Sequence, residues 1–414
     1  LKLSINTWFA SGTEHHPLTP VTFCRGRHMS AVLLHVVAST LISAAFAAAA
    51  GDHGLLENFS EFVTKFGRKY QRGSKEHGLR QALFHKRVQY IRAHNSRPSE
   101  ERMWTAKVSP LTDRTDEELA QLRGWRHVKH GHSASRAAFL AQRSEVLKQP
   151  PQTVDHRNLM MASDVPDQGG CGSCWAVATA SMLQARYELH MNGNRTFSVQ
   201  QLVNCVPNPR ECGGTGGCQG ATVELAMQYV QRMGLQEDQA LPYAGKGESC
   251  QQPMPVTSFI ELAASRHSYR GSAAIGLRHW RKLPENRAMP LMQAVANGPV
   301  AISVAASDWM YYGTGIFNGC AKDAVVDHAV VLFGYGSEGS NKYWLVRNSW
   351  GSSWGEGGYI RLLRQPTAEA EDAYCGTDND PKAGLACKPY PDSVQVCGMC
   401  GLLYDSVEAT FAPA

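Results

Sequence analysis

Charge is scarce in this 414-residue chain: Asp, Glu, Lys and Arg make up 19% of it, against 43% hydrophobic residues. That balance argues against an intrinsically disordered protein and for a packed core. No block of Lys or Arg stands out, and the 41 basic residues exceed the 36 acidic ones by only five. Nucleic acid is therefore not an expected partner. There is no internal repeat, and no motif signals a cofactor or a resident metal. Cysteine is missing from residues 25–170, although eleven of the twelve cysteines lie between 171 and 400. The asymmetry predicts a disulfide-bearing C-terminal domain made in an oxidising compartment, with a cytosolic zinc protein as the competing reading.

The length allows two or three domains or processed segments. The first methionine is Met29, and the apolar run Ala31–Ala38 followed by small residues up to Ala50 reads as a secretory signal peptide over 29–50. Arg25 and Arg27 lie just upstream. A signal anchor is the alternative, since Ala31–Ala50 is long enough to span a bilayer. Residues 1–28 carry no assignable pattern.

Residues 55–123 read as helical. Leu55, Leu56, Phe59, Phe62, Val63 and Phe66 recur at helical spacing up to Gly67, and Leu79, Leu83, Phe84, Val88 and Ile91 form a second apolar stripe. A third helix is expected to start at Thr112 or Asp113 and to cover Asp116–Leu122. Polar and proline-rich connectors follow at Gly131–Ser135 and Gln149–Gln152, where a chain is exposed to cutting. From Val154 the texture becomes α+β, with glycine clusters at Gly213–Gly220 and Gly351–Gly358 and β-branched runs at Val300–Val304 and Val330–Phe333.

The sharpest signal is Gln168-Gly169-Gly170-Cys171-Gly172-Ser173-Cys174-Trp175. Its Cys-x2-Cys fits a redox dithiol, a zinc half-site, or a disulfide cysteine beside a reactive one. The helix-forming run Ala176–Leu183 favours the last, because it sets Cys174 at a helix N-terminus, where the dipole favours thiolate. Such a thiolate needs an imidazole partner and a donor for a developing oxyanion. Asp327-His328-Ala329 opens an apolar strand downstream, and Asn348-Ser349-Trp350-Gly351 offers an amide to orient the ring.

In these motifs and their order, with 154 and then 20 residues between the Cys, His and Asn, the sequence resembles the papain-like cysteine peptidases of the cathepsin L-like branch. The resemblance implies a two-lobed α+β fold, a helical lobe and a β-barrel-like lobe with the cleft between them, preceded by a small helical prodomain. It implies Cys174 as nucleophile, held as thiolate against His328, with Asn348 holding the ring and Trp350 shielding it. Gln168 and the Cys174 backbone N–H would form the oxyanion hole. Disulfides Cys171–Cys218, Cys205–Cys250 and Cys320–Cys375 are implied as well. Cys212, Cys387, Cys397 and Cys400 fall outside the pattern and suggest a stapled tail. Gly220 and Ala221 would pair with substrate backbone, while Thr222, Val223 and Ala329 would line an apolar pocket for the residue two before the cut. Asp378 and Asp380 are candidates for its floor.

Glu76-x3-Arg80-x3-Phe84-x2-Arg87-x3-Ile91-x3-Asn95 resembles the long-helix motif of the inhibitory prosegment, with Arg87 where the motif has Asn. A second prosegment motif, Lys107-x-Ser109-x-Leu111-x-Asp113, keeps only its last residue. The organisation implied is 1–28 unassigned, 29–50 leader, 55–123 inhibitory prodomain, 124–150 activation linker and 151–414 peptidase domain, with an extended Cys-containing tail from about 376. The function implied is a monomeric secreted, lysosomal or vacuolar cysteine endopeptidase zymogen, activated when acid weakens pairs available to Glu76, Arg80 and Arg87. Its partners would be protein and peptide substrates, its own prosegment and cystatin-like inhibitors. The stretch Val206–Gly217 has no histidine pair, which favours an open cleft over an exopeptidase. Asn58 and Asn194 head glycosylation sequons. The alternatives are a catalytically silent binding or storage homologue and a zinc or thiol-redox protein.

Overall fold

The structure, a computed structural model, describes residues 58–124, 149–251 and 275–411. The expected leader at 29–50 and most of the activation linker lie outside them. The described elements begin with three short-to-medium helices, α1 (Phe59–Lys65), α2 (Lys75–Asn95) and, after strand β1 (Trp104–Ala106), α3 (Asp116–Leu122). Each start has a side-chain cap. Asn58 accepts from the Ser60 N–H, and Ser74 accepts from the His77 N–H. Thr115, not Thr112 or Asp113, caps α3, because it closes a reciprocal box with Glu118 three residues on. Phe59, Phe62 and Phe84 pack their rings together where α1 meets α2, and Ile91 is buried two turns further along α2.

Then come β2 (Val154–Asp155), α4 (Cys174–Met191), α5 (Val199–Cys205), α6 (Val223–Met233), β3 (Leu277–Lys282), α7 (Ala288–Ala296), β4 (Val300–Val304), β5 (Tyr312–Phe317) and β6 (His328–Glu338). The chain finishes with β7 (Asn341–Arg347), β8 (Tyr359–Arg364), α8 (Ala368–Ala373), β9 (Cys375–Asp378), β10 (Val394–Cys397) and β11 (Ser406–Phe411). The helical lobe is organised on α4, which is buried on nearly every side, and its alanines at 176, 178, 180 and 185 let neighbours approach closely. The other lobe is a nine-stranded sheet in the order β1-β5-β8-β7-β6-β4-β11-β3, with β2 also on β6. All its pairings are antiparallel except β5 with β8.

Two features depart from the expected layout. The edge strand β1 comes from the prosegment: Trp104 pairs opposite Gly315 and Thr105 opposite Thr314, so the prosegment extends the sheet of the peptidase domain by one strand. The tail is no appendage. β11 lies inside the sheet between β4 and β3.

The disulfides among the described residues are Cys171–Cys218, Cys205–Cys250, Cys212–Cys387, Cys320–Cys400 and Cys375–Cys397. The expected Cys320–Cys375 pair is therefore corrected. β9 and β10 form an antiparallel hairpin whose register sets Cys375 directly opposite Cys397, which leaves Cys320 to Cys400.

Candidate active site

Cys174 is the first residue of α4 and the only free cysteine among the described residues. Its preceding residue, Ser173, does not cap the helix with its side chain; its hydroxyl instead pairs with the Tyr243 hydroxyl at 2.5 Å. Helix backbone N–H groups are thereby left facing the sulfur. Across the cleft, His328 opens β6. Asn348 Oδ1 lies 2.8 Å from its Nε2, and the Trp350 ring stacks on the imidazole at 5.0 Å between centroids. His328 Nδ1 is buried without a hydrogen-bond partner. The ring is thus clamped through one nitrogen and leaves the other available for a proton.

Gln168 is fully buried. Its Oε1 accepts from the Ser349 hydroxyl at 2.6 Å, so its Nε2 must be the donor, and this reaches the Leu122 carbonyl at 2.7 Å and the Cys171 carbonyl at 3.0 Å. Tyr243 donates to the Gln168 carbonyl at 2.8 Å. Ser349 belongs to the Asn348-Ser349-Trp350-Gly351 motif and was legible there, whereas nothing in the sequence marked Tyr243.

The cleft is filled by the prosegment. Beyond the Leu122 carbonyl, Arg123 Nε donates to Asp327 Oδ2 at 2.7 Å. Gly124 follows: a Cβ there would sit 3.5 Å from the Gly220 Cα and 3.7 Å from Cys174 Sγ. Gly220, at φ +90°, has no room for a side chain, since a Cβ would meet the Gly213 carbonyl at 2.1 Å and the Gly124 carbonyl at 2.3 Å. This is the close backbone approach that only glycine permits. Burial reverses the thiolate expectation in this closed state: it pushes the Cys174 thiol up to about 11. Burial, with Arg123 nearby and against the Asn348 hydrogen bond, pushes His328 down to about 4. Burial under the prosegment thus works against both charged forms, thiolate and imidazolium.

Beside the sulfur is a small cavity of about 20 Å³, lined by Ala221, Thr222, Val223 and Ala329, as well as Ser303 and Asp327, and partly occupied on one side by Arg123 and Gly124 of the prosegment. Trp350, which the resemblance also implies as a substrate contact, stacks on His328 and is not part of this cavity's wall. Asp378 is buried, accepting from the Val326 and Asp380 N–H groups, and neither it nor Asp380 reaches the cavity. The wall they were expected to supply comes from Ala383, Gly384 and Leu385, which carried no signal in the sequence.

Long-helix motif residues hold the prosegment together. Arg80 pairs with Glu118 and, at 3.4 Å, with Glu76, while Arg87 pairs with Asp116 at 3.1 Å and donates to the carbonyls of Leu111, Thr112 and Arg114. Asn95 clamps β1 through two 2.8 Å bonds to the backbone of Ala106. Asp113, the one retained residue of the second motif, accepts from Arg68 at 2.9 Å and from Tyr70 at 2.7 Å. Among the described residues no cluster of His, Cys, Asp and Glu could hold a metal ion.

A buried thiol at a helix start, a clamped imidazole and an occluding turn of the prosegment define a latent thiol hydrolase. A family model described as "Papain family cysteine protease" matches residues 150–385, and one described as "Cathepsin propeptide inhibitor domain (I29)" matches 59–119. Mouse procathepsin L is 31% identical over 358 residues, which is 83% of this chain and 96% of that protein. The KDEL-tailed cysteine endopeptidase CEP2 of Arabidopsis thaliana is 30% identical, over 71% of this chain and 76% of its own length. The structure of digestive procathepsin L 3 from Tenebrio molitor larval midgut superposes with a TM-score of 0.62 at 24% identity, covering 85% of this chain and 97% of that one. The chain belongs to the papain family of cysteine proteases and carries its own propeptide inhibitor domain.

Proposed function

We propose that the protein is a cysteine endopeptidase made as a zymogen in the secretory pathway, for lysosomal, vacuolar or extracellular use, and that Cys174, His328, Asn348 and Gln168 carry its chemistry. The observation that supports this most directly is that Gln168 Nε2 donates to a prosegment carbonyl, that of Leu122, while Gly124, two residues on, lies against Cys174. Once the prosegment leaves, water re-enters the cleft and the cost of charging the pair falls, so a proton passes from Cys174 to His328 Nδ1. The thiolate attacks the peptide carbonyl, and Gln168 with the Cys174 N–H stabilises the oxyanion. The C–N bond breaks as His328 protonates the leaving amine, which leaves a thioester. Water then adds, giving its proton to His328, and the acid departs with Cys174 restored. Five disulfides support an oxidising compartment.

The test incubates the full-length protein at about pH 4.5 under mild reduction beside Cys174→Ala, following fragment mass and turnover of a fluorogenic peptide with an apolar residue two before the cut. Conversion to a fragment starting near Pro151, with turnover lost in the alanine variant, is expected. A wild type that stays silent even after its connector is cut by another protease would favour the binding homologue.

A further inference from the structure

The family match ends at residue 385, yet the chain just around that point touches both sides of the cleft. The loop 379–393 connects the paired strands β9 and β10, and the hairpin's base is closed by Cys375–Cys397. Its root rests on the sheet lobe. Thr377 N–H donates to Asp323 at 2.8 Å, Val326 N–H donates to Asp378 at 3.2 Å, and Gly384 lies so close to Val326 that a Cβ would meet that carbonyl at 2.2 Å. Its tip rests on the helical lobe, on the loop just before Cys218. The Gly213 N–H donates to the Ala386 carbonyl at 3.2 Å, Lys388 N–H to the Arg210 carbonyl at 2.7 Å, and Arg210 Nε back to the Lys388 carbonyl at 2.8 Å. Lys388 also pairs with Glu211, and Cys212–Cys387 fixes the tip covalently. Between root and tip, Ala383, Gly384 and Leu385 face the cavity beside Cys174.

We propose that this loop is a strap bridging the two lobes, that Leu385 sets which substrate side chains the pocket accepts, and that Cys212–Cys387 holds the wall in place. The proposal rests on the peptidase reading above. Leu385 and Gly213 line the pocket together, so a strap pinned at Cys212 limits the pocket's depth. Loops on a surface are free to sway; this one is cross-linked at base and tip, which makes its side chains rigid elements of the site.

The experiment compares matured wild type, Leu385→Ala, Leu385→Phe and the double variant Cys212→Ser/Cys387→Ser. The substrates are three fluorogenic peptides that differ only in Val, Leu or Phe two residues before the cut, with active enzyme counted by alkylation of Cys174. One or two methylene-sized changes in such a wall alter kcat/KM ratios by about tenfold. Leu385→Ala is expected to raise the Phe/Val ratio about tenfold, Leu385→Phe to lower it, and the double variant to move it in the direction of Leu385→Ala. Equal ratios in wild type and both Leu385 variants would overturn the strap while leaving the peptidase standing. A wild type that cleaves none of the three would overturn both. Should the double variant fail to fold, the opposed Leu385 pair still decides.

Discussion

Gln168 donates its amide to a carbonyl that differs between the two states of the protein. In the zymogen it is Leu122's, at 2.7 Å; on the proposed mechanism a substrate's oxyanion replaces it. An interaction that strengthens only as charge develops lowers the barrier without tightening ground-state binding. Gln168→Ala in the matured enzyme is therefore expected to cut kcat by about 10²–10³-fold with KM little changed. Steady-state kinetics with Cys174 titration checks this, and a loss confined to KM would contradict it. Gln168, Cys174, His328 and Asn348 were legible because each sits in a short run whose neighbours serve the same task. The pairing of Arg123 with Asp327 was not, since it joins positions 204 residues apart and Arg123 lies in no motif.

Single elements carry the latency. α2 and β1 dock the prosegment on the sheet, and His94 lies between them, with Nε2 3.0 Å from the Trp104 carbonyl and its ring 3.9 Å from Trp104's. The residue is buried, Tyr90 packs nearby, and Arg97 and Arg102 add positive charge. Burial, reinforced by those arginines and opposed by the Trp104 hydrogen bond, holds His94 below the usual imidazole value of 6.5. A depressed folded value means that its contribution is complete above the unfolded value and is lost as pH falls below it. Glu118 behaves otherwise. Burial would raise it, but hydrogen bonds from Arg80 and Thr115 and the charges of Arg80 and Arg114 outweigh that and hold it near 2. Its contribution is intact above about 4.5 and fades only towards 2, so the Arg80–Glu118 pair survives mild acid. Among the groups of this interface, His94 is therefore a candidate trigger that titrates in a milder range than the Arg80–Glu118 pair. His94→Gln keeps a hydrogen-bond donor for Trp104 and removes the titration. It is expected to shift the pH midpoint of maturation downward by up to about one unit, read by gel conversion across a pH series. An unchanged midpoint would exclude His94 as the trigger.

At the scale of the whole molecule, the helices and the order of the site motifs could be read from periodicity and local sequence, whereas the closing of the sheet could not. Ser406–Phe411 is short, and the sequence placed it in a tail; only the register shows that Ser406 meets Ile302 on one side while Val407 meets Lys282 on the other. β11 also carries the partner of the most deeply buried cation of α4. Arg186 donates to the carbonyls of Ala294, Gly298, Pro299 and Ala409, and its ion pair with Glu408 is 3.2 Å long. Burial pushes Arg186 down to about 10, so it remains charged at neutral pH. Arg281, on β3, meets the same carboxylate at 2.6 Å but is largely exposed. Glu408 therefore ties the central helix of one lobe to two strands of the other through a single buried charge. Glu408→Gln retains the shape and leaves Arg186 uncompensated, a change of the kind that costs about 3 kcal/mol. In a domain of this size it should lower Tm by roughly 5–10 °C in a thermal melt at neutral pH. The exposed pair Arg157–Asp155, at 2.6 Å, serves as the control, since Asp155→Asn should shift Tm by no more than about 2 °C. Equal shifts in the two variants would mean that the buried carboxylate contributes no more than a surface one and that the inter-lobe tie lies in the backbone pairing of β11 alone.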